Sequence, residues 1–380
     1  MFYHRRFLRI LAVLCRAHLY RPSALFVRLK MGAVAERGAL VAKTLAAAWR
    51  AHQTPLSLLP SQLAVAAPIL LGSGAGGLGW WRIRGSTLEH SDIGVQLHQA
   101  FRLHALQAAI YEEQLRRAVT ILQSRGIEPL LFKGWAIARS YPSVGLRPYG
   151  DIDLLVHPTQ YKLADTLLKD AAVQHPLYVD LHDSCFLLED RSYDAMYSRA
   201  PSVLLGNGSV RVLGPEDHLR LLCLHLLKHG VPGPLWLCDI GLVLESIPPK
   251  FDWDLCLRGD RVRAGWVACV LGLAHRLLGA DLGACPFATQ ADSLPDWLIP
   301  DVVYQWGTGR RPDTRRAVSY LKNPRGWVEG LRARWPSSIL ANVFLNRAFN
   351  DNAQLPIRLK VFTLRCVRAA EHVLARIIHA

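Results

Sequence analysis

Two aspartates stand two residues apart in an apolar run, Gly150-Asp-Ile-Asp-Leu-Leu-Val156. The run predicts a β-strand, in which residues i and i+2 project from one face. Asp151 and Asp153 are therefore expected to point the same way. Ile152 and Leu154 are expected to point into a core. Adjacent like charges repel each other, and a divalent cation relieves that repulsion. Oxygen ligands suit Mg²⁺, which commonly takes one or two carboxylates together with substrate phosphates. The competing interpretation is that both aspartates only end a loop and stay solvated.

A second strand is predicted upstream, at Ile127-Glu-Pro-Leu-Leu-Phe132, and it runs directly into Lys133 and Gly134. A glycine that follows a strand lets the backbone approach a ligand closely. The helix expected from about Trp135 to Ser140 would aim its free amide hydrogens at phosphate. The pattern thus predicts a phosphate cradle and a metal-binding pair in one supersecondary unit. Alternatively, Lys133 is a solvated lysine at the end of a strand.

At these residues the sequence resembles the bacterial "uncharacterised nucleotidyltransferase" family, within the DNA polymerase beta-like nucleotidyltransferase superfamily. The residues that match the family pattern are Lys133, Gly134, Tyr141, Pro142, Arg147, Asp151 and Asp153. Downstream, Val179-Asp-Leu-His182 resembles the strand that carries the family's third carboxylate. A weaker likeness extends over a helical segment, through Pro215-Glu-Asp217, His225, His229, Trp236 and Asp239. The resemblance covers roughly residues 95–245.

The resemblance implies a metal-dependent nucleotidyltransferase that moves a nucleoside monophosphate from a nucleoside triphosphate to an acceptor and releases pyrophosphate. It implies Mg²⁺ as the cofactor, with Mn²⁺ as an alternative. The residues expected to bind the metal and to act in catalysis are Asp151, Asp153 and Asp180. The residues expected to bind the nucleotide are Lys133, Gly134 and Arg147. The acceptor is left open among a small molecule, a peptide, a protein and RNA.

The segment Leu177–Asp183 is predicted to be a strand, so Tyr178, Asp180 and His182 should share one face. If this strand lies beside the Asp151 strand, Asp180 faces the metal site. His182 then sits one step further along, where it would position the acceptor or Asp180. A satisfied surface aspartate is the competing account of Asp180.

One departure separates the chain from the wider superfamily. Gly134 is followed by Trp135, where the superfamily usually has a glycine or a serine whose hydroxyl touches phosphate. The Lys133 ammonium is the alternative source of phosphate binding. Two rival functions share the fold: a non-catalytic nucleotide-binding regulator, and a phosphotransferase that uses the same metal site.

Composition indicates a globular protein, with 51% hydrophobic and 20% charged residues among 380. The eight cysteines form no Cys-x-x-Cys pair, which argues against a zinc ribbon or a redox pair and favours a cytoplasmic location.

The net charge of +15 is concentrated at the ends, since the first 50 residues hold a single acid, Glu36, and the tail from Arg310 is arginine-rich. Basic ends would attract a polyanion or an anionic membrane weakly. The alternative is a generic solvated face.

The span Ala51–Trp81 has no formally charged residue, but it is interrupted by prolines and glycines. Buried helices joined by a glycine-rich loop are therefore expected there, with a membrane span as the alternative.

An amphipathic helix is predicted over Ser91–Ser124, and a hairpin over Val203–Leu213 with Asn207-Gly208 as its turn. His225 and His229 lie four residues apart on a predicted helix, a spacing suited to zinc, although a structural role near the site is favoured.

The predicted fold class is α+β, a mixed sheet of the nucleotidyltransferase fold with flanking helices and additional helical regions at both ends. Three units are expected: an N-terminal helical region at 1–95, the nucleotidyltransferase core at 96–214 and a C-terminal helical domain at 215–380.

Overall fold

The computed structural model of the protein describes residues 24–54, 56–283, 285–309 and 335–378. The predicted polyanion or membrane contact depends on the first 50 residues and on the tail from Arg310, and of these the segments 1–23 and 310–334 lie outside the described residues.

Five strands form one mixed sheet in the order β3-β2-β1-β5-β4. Their bounds are β1 Leu130–Leu131, β2 Ile152–Leu155, β3 Val179–His182, β4 Ser202–Leu205 and β5 Gly208–Val212. β2 runs antiparallel to β1 and parallel to β3. β5 is parallel to β1 and antiparallel to β4. Together with the flanking helices, this sheet confirms the predicted α+β class.

Within the described residues, four helices precede the sheet: α1 Ala24–Leu45, α2 Pro60–Ser73, α3 Gly76–Ile83 and α4 Asp92–Gln123. α2 and α3 fill most of the uncharged span and bury apolar side chains such as Leu63 and Leu70. This confirms the prediction of buried helices in that span. Among the described residues, every helix is too short or too polar to cross a membrane.

Three helices flank the sheet: α5 Gly134–Ala138, α6 Tyr161–Gln174 and α7 Tyr193–Arg199. The C-terminal helices are α8 Pro215–Lys228, α9 Leu235–Glu245, α10 Trp253–Leu257, α11 Arg261–Leu278, α12 Ala288–Asp292, α13 Leu298–Thr308, α14 Ser338–Phe344 and α15 Gln354–Ile378. The largest core joins apolar residues of α1–α4 to residues of α8–α14. Side chains from both predicted end regions thus share one core, and the domain boundaries stay predictions.

The sheet separates two further cores. On one face, Ile152 and Leu154 pack with apolar residues of α4 and α6. On the other face, Leu130 and Leu155 pack with residues of α7 and α8. Because side chains alternate along a strand, Asp153 lies on the same face as Leu155. The candidate site is therefore on the α8 side of the sheet.

The helix predicted over Ser91–Ser124 is α4, which Ser91 caps through its hydroxyl. An apolar face of Leu97, Leu103, Leu106, Ile110, Leu115, Val119 and Leu122 is expected from their approximate helical spacing, and only part of that face is buried. Leu97, Leu115, Val119 and Leu122 are buried, whereas Leu103, Leu106 and Ile110 are exposed. In this middle stretch, the inward side of the helix carries polar and aromatic residues. Gln107 donates a hydrogen bond to the Tyr149 carbonyl, and the Tyr111 ring contacts Tyr149.

The hairpin over β4 and β5 is confirmed, but its turn was predicted one residue too late. Leu205 pairs with Gly208, so the two loop residues are Gly206 and Asn207. Gly206 takes the positive φ of +59°. A positive φ at the first loop residue is typical of type II′ hairpins, which place glycine there.

Candidate metal and nucleotide site

The parallel pairing of β2 and β3 brings two of the predicted acids together. Asp153 lies directly opposite Asp180 in the register of the two strands. His182, two residues beyond Asp180, projects from the same face. One potential ligand atom from each of these three residues lies within 4.8 Å of the other two. The expectation that Asp180 faces the metal site depended on this strand lying beside the Asp151 strand, and the structure shows that pairing.

Asp153 is the buried member of the group, with 2% of its side chain exposed, and it lies next to a lysine. The ammonium of Lys133 is 2.6 Å from its Oδ1 atom, and His182 Nε2 is 3.5 Å from the same oxygen. Burial alone would raise the pKa of Asp153. The nearby His182 and Lys133 outweigh that effect, and the pKa is lowered. Asp153 is therefore held in its charged form.

Asp180 is the open member of the group. Its side chain is 58% exposed, and His182 Nε2 lies 3.3 Å from its Oδ2 atom. The imidazole of His182 therefore bridges the buried carboxylate and the exposed one. This arrangement orients Asp180 while leaving its carboxylate open to a ligand that enters from solvent.

Asp151 precedes β2 and is exposed, and it is not one of the three residues whose ligand atoms converge. It still belongs to the same electrostatic environment. Partial burial, followed by repulsion from Asp153, raises its pKa, and the charge of Lys133 partly offsets this. The predicted Asp151–Asp153 pair is therefore coupled electrostatically. The converging side chains, however, are Asp153, Asp180 and His182.

The backbone at Lys133 is strained. Its φ of 54° and ψ of −148° lie in a region that non-glycine residues rarely adopt, at a cost of about 1–3 kcal/mol. The Lys133 N–H donates a hydrogen bond of 3.1 Å to Nε2 of the buried His218. Burial lowers the pKa of His218 to about 4, so at neutral pH the ring is neutral and Nε2 can accept this bond. His218 thus stabilises the conformation that turns Lys133 toward Asp153.

The glycine after Lys133 lies against the chain that leads into β2. A Cβ atom at Gly134 would stand 3.2 Å from the Asp151 carbonyl oxygen, and the residue has a positive φ of +32°. Gly134 therefore permits a close approach between the two segments. The helix that follows, α5, has five residues and ends at Ala138, so it is shorter than predicted.

Arg147 does not have the environment expected of a phosphate ligand. Its guanidinium is buried and donates hydrogen bonds to both carboxylate oxygens of Asp239, at 2.9–3.2 Å. Its remaining terminal nitrogen donates to the Pro148 carbonyl, and the Tyr141 hydroxyl donates to Asp239. These contacts give Arg147 a structural partner, because the buried Asp239 charge requires a counter-ion. Contact between Arg147 and phosphate stays a prediction.

The residues present fit a divalent cation. Oδ1 of Asp153 has the Lys133 ammonium at 2.6 Å, but Nε2 of His182 is a buried atom that makes no hydrogen bond of good geometry to any described residue. A buried polar atom without such a bond is rare in native proteins and often marks a site for an ion or water. Carboxylate oxygens suit Mg²⁺ and Mn²⁺, and imidazole adds a nitrogen donor of the kind that transition metals accept.

The histidines that suggested zinc lie beside this group without forming a zinc site. His225 and His229 contact each other and Trp236 through their rings, while Asp239 forms an ion pair with Arg147. Within the described residues, Asp153, Asp180 and His182 make up the one group of three that could hold a metal.

Comparison with known proteins identifies the family. The model of an uncharacterised nucleotidyltransferase family matches residues 83–279, just over half of the chain. The chain belongs to this family. Searches among curated proteins and among solved structures found no significant match. Every predicted site residue, from Lys133 to His182, lies within the nucleotidyltransferase match.

Sequence reasoning missed one residue of this candidate site. His218 reaches Lys133 from α8, 85 positions along the chain. Neither its spacing nor its neighbours indicated a role. Its place on α8 follows from the helix that begins at Pro215, but its contact with Lys133 depends on how that helix packs against the sheet.

Proposed function

We propose that the protein is a metal-dependent nucleotidyltransferase that moves a nucleoside monophosphate from a nucleoside triphosphate to an acceptor and releases pyrophosphate. The observation that carries this proposal is the convergence of Asp153, Asp180 and His182 beside the Lys133 ammonium. Membership of a nucleotidyltransferase family supports it at the level of reaction class.

Asp153, Asp180 and His182 would hold a divalent cation, and Asp151 would add a third carboxylate beside them. We favour Mg²⁺, with Mn²⁺ as the alternative. When bound, such a cation neutralises charge on the triphosphate and stabilises the attacking and leaving oxygens. His182 separates this arrangement from an all-oxygen site, so the metal preference should be measured with both ions.

Lys133 supplies the positive charge for the phosphates, because its ammonium already lies at the carboxylate group and its backbone is fixed by His218. Gly134 keeps the segment close to the strand that bears the acids. Asp180 is the exposed carboxylate, so it is the residue placed to accept the proton of an acceptor hydroxyl. His182 orients Asp180 and the acceptor.

The proposed step balances as a substitution at phosphorus. The acceptor oxygen forms a bond to the α-phosphorus, and the bond from the α-phosphorus to the α,β-bridging oxygen breaks. Pyrophosphate leaves with that electron pair, and the acceptor proton passes to Asp180 and then to solvent. The acceptor is a small molecule, a peptide, a protein or RNA with a free hydroxyl or phosphate.

Labelled triphosphates test the reaction class. The full chain would be incubated with Mg²⁺ or Mn²⁺ and either α- or γ-labelled ATP, in the presence of fractionated extract from the native host. Transfer of the α-label with release of pyrophosphate would support nucleotidyl transfer. Transfer of the γ-label would instead indicate a phosphotransferase. Tight binding without turnover in every fraction would indicate a non-catalytic regulator.

Two variants sharpen this test. Asp180→Asn should lower turnover by orders of magnitude while nucleotide binding persists, because Asp153 and Lys133 remain. His182→Ala should have a milder effect on turnover. A fall in metal affinity of ten-fold or more in His182→Ala would place this residue at the metal, as a ligand or as the partner that orients one. Unchanged metal affinity would assign it to acceptor positioning.

We also place the activity in the cytoplasm, on the basis of the scattered cysteines. Any attachment to anionic membranes through the basic ends should be lost in high salt, which screens surface charge. Release by detergent alone would contradict this placement.

A further inference from the structure

Three rings lie together where the end of α8 meets the start of α9. We call His225, His229 and Trp236 the ring cluster. The ring centroids of His225 and Trp236 are 4.6 Å apart, and those of His225 and His229 are 4.7 Å apart. His229 meets Trp236 edge-on at 5.4 Å. The catalytic assignment above uses none of these rings.

The ring cluster borders the carboxylate site. Apart from burial, the main influence on the pKa of His225 is the Lys133 ammonium, and the Asp153 carboxylate acts on it as well. The charge of Lys133 also lowers the pKa of His229 and that of Lys228. His218, which accepts the hydrogen bond from the Lys133 N–H, lies seven residues before His225 on α8, so both side chains lie on the same face of that helix about two turns apart. A ligand whose phosphates lie at Lys133 would therefore have the ring cluster within its reach.

The rings are open to solvent and are not sealed in the core. His229 is exposed, and His225 and Trp236 are half-buried. Trp236 packs against the core while staying partly exposed, and the buried core contacts of α8 and α9 are made by leucines such as Leu226, Leu227 and Leu237. The ring nitrogens of the cluster make no hydrogen bond to any described residue. Their nitrogens and part of their surface are thus free for a ligand.

The imidazoles of the cluster are uncharged at neutral pH. Burial, followed by the charge of Lys133, lowers the pKa of His225 to about 3. Burial also lowers the pKa of His229. Neutral imidazole and indole rings offer flat, weakly polar faces. Such faces suit stacking on an aromatic ring more than binding of an anion.

We propose that the ring cluster binds the nucleobase of the triphosphate by stacking. This inference rests on the proposed function, because it requires the phosphates to lie at Lys133 and the acids. Every base has a π-face, so stacking is tolerant of base identity. Purine triphosphates, which offer the larger ring surface, should bind more tightly than pyrimidine triphosphates.

A comparison of two ligands tests this proposal. Calorimetry on the full chain, with Mg²⁺ or Mn²⁺ present, would measure the affinity of α,β-methylene-ATP and of inorganic tripolyphosphate. The first ligand has a base and resists cleavage at the reacting bond, whereas the second has phosphates alone. The wild-type chain should bind the nucleotide analogue more tightly. Trp236→Leu should weaken the analogue about ten-fold and leave tripolyphosphate unchanged.

Two further variants act as controls for folding and ring chemistry. Trp236→Phe keeps an aromatic face and should retain most of the affinity for the analogue. His229→Leu changes an exposed side chain, so it should fold normally and still weaken binding of the analogue alone. Thermal melts would confirm that each variant is folded.

The outcomes separate the two proposals. Equal affinity of both ligands for the wild-type chain would overturn the ring-cluster assignment and leave the proposed function standing. An equal loss of both ligands in folded Trp236→Leu and His229→Leu would also overturn the assignment. Failure of both ligands to bind the wild-type chain would overturn the proposed function and this inference together.

Discussion

The ammonium nitrogen of Lys133 lies 2.6 Å from Oδ1 of Asp153, the acid that is buried most deeply in the candidate site. One residue was expected to bind phosphate and the other to bind metal, and here they neutralise each other. A buried carboxylate without a partner is costly, so Lys133 provides the charge that a cation would otherwise supply. A bound cation would take over that role and leave the ammonium free for phosphate.

Replacement of this lysine should make stability dependent on metal. Lys133→Met removes the charge next to Asp153, so in EDTA the free energy of unfolding should fall by about 2–3 kcal/mol. That figure is below the cost for a fully buried pair because Lys133 is partly exposed. Added Mg²⁺ or Mn²⁺ should restore more stability to Lys133→Met than it adds to the wild-type protein. Denaturant titrations with and without metal would measure both effects.

The matched control is Lys169→Met, which removes a surface lysine paired with Asp165 on α6. It should change neither stability nor metal response. If Lys133→Met is as stable as the wild-type chain in EDTA, the pairing with Asp153 has no energetic role.

Replacement by asparagine should change the stability of the metal-free protein in opposite directions at Asp151 and at Asp153. Asp153 has a lowered pKa because of its partners, so Asp153→Asn should destabilise the metal-free protein. Asp151 has a raised pKa because of burial and repulsion, so Asp151→Asn should stabilise the metal-free protein slightly, by roughly 0.5 kcal/mol. Both variants should lose metal-dependent turnover. Thermal melts in EDTA and the labelled-ATP assay would test the pair, and normal turnover in either variant would remove that residue from the catalytic set.

The strand positions and the faces of their side chains were accessible from sequence because they depend on local patterns. Alternation around Asp153 predicted β2, and the same period predicted that Asp180 and His182 share a face of β3. The placement of the acids relative to the sheet follows from these two strands. A parallel register then sets Asp153 opposite Asp180.

Contacts between distant residues could not be predicted in this way. His218 meets Lys133, and Asp239 meets Arg147, only because α8 and α9 pack beside the sheet. Nothing in the spacing of these residues encodes that contact. The same limitation explains why Arg147, which matches the family pattern, was expected to face phosphate.

The buried His218 predicts a pH-dependent stability. Its pKa is lowered to about 4, below the ordinary value of 6.5 in the unfolded chain. As the pH falls below 6.5, the unfolded chain takes up a proton that the folded protein excludes, so the stability contribution is lost progressively toward pH 4. Between pH 7 and pH 5, this group alone should lower the free energy of unfolding by about 2 kcal/mol.

His218→Gln separates this titration from that of other groups. Glutamine does not titrate, yet its carbonyl oxygen can still accept the Lys133 N–H bond. The fall in stability between pH 7 and pH 5 should be smaller in this variant by about the same 2 kcal/mol. Urea denaturation of both proteins at the two pH values gives the comparison. Parallel losses in the two proteins would show that His218 titrates normally.

The contact between Arg147 and Asp239 distinguishes a structural arginine from a phosphate ligand. Both side chains are buried, and the Tyr141 hydroxyl completes the group. Asp239→Asn leaves the arginine charge buried without its counter-ion, which should cost about 3–5 kcal/mol of stability. The triple variant Arg147→Met, Asp239→Leu and Tyr141→Phe removes all three polar groups together. It should recover most of that loss, since apolar replacements of a buried ion pair are often neutral or stabilising.

If Arg147 has only this structural role, the triple variant should bind α,β-methylene-ATP with nearly wild-type affinity. Urea denaturation would measure the free energy of unfolding, and calorimetry would measure the affinity for the nucleotide analogue on the same samples. A stable triple variant that has lost nucleotide binding would return Arg147 to the phosphate-binding role that the sequence suggested.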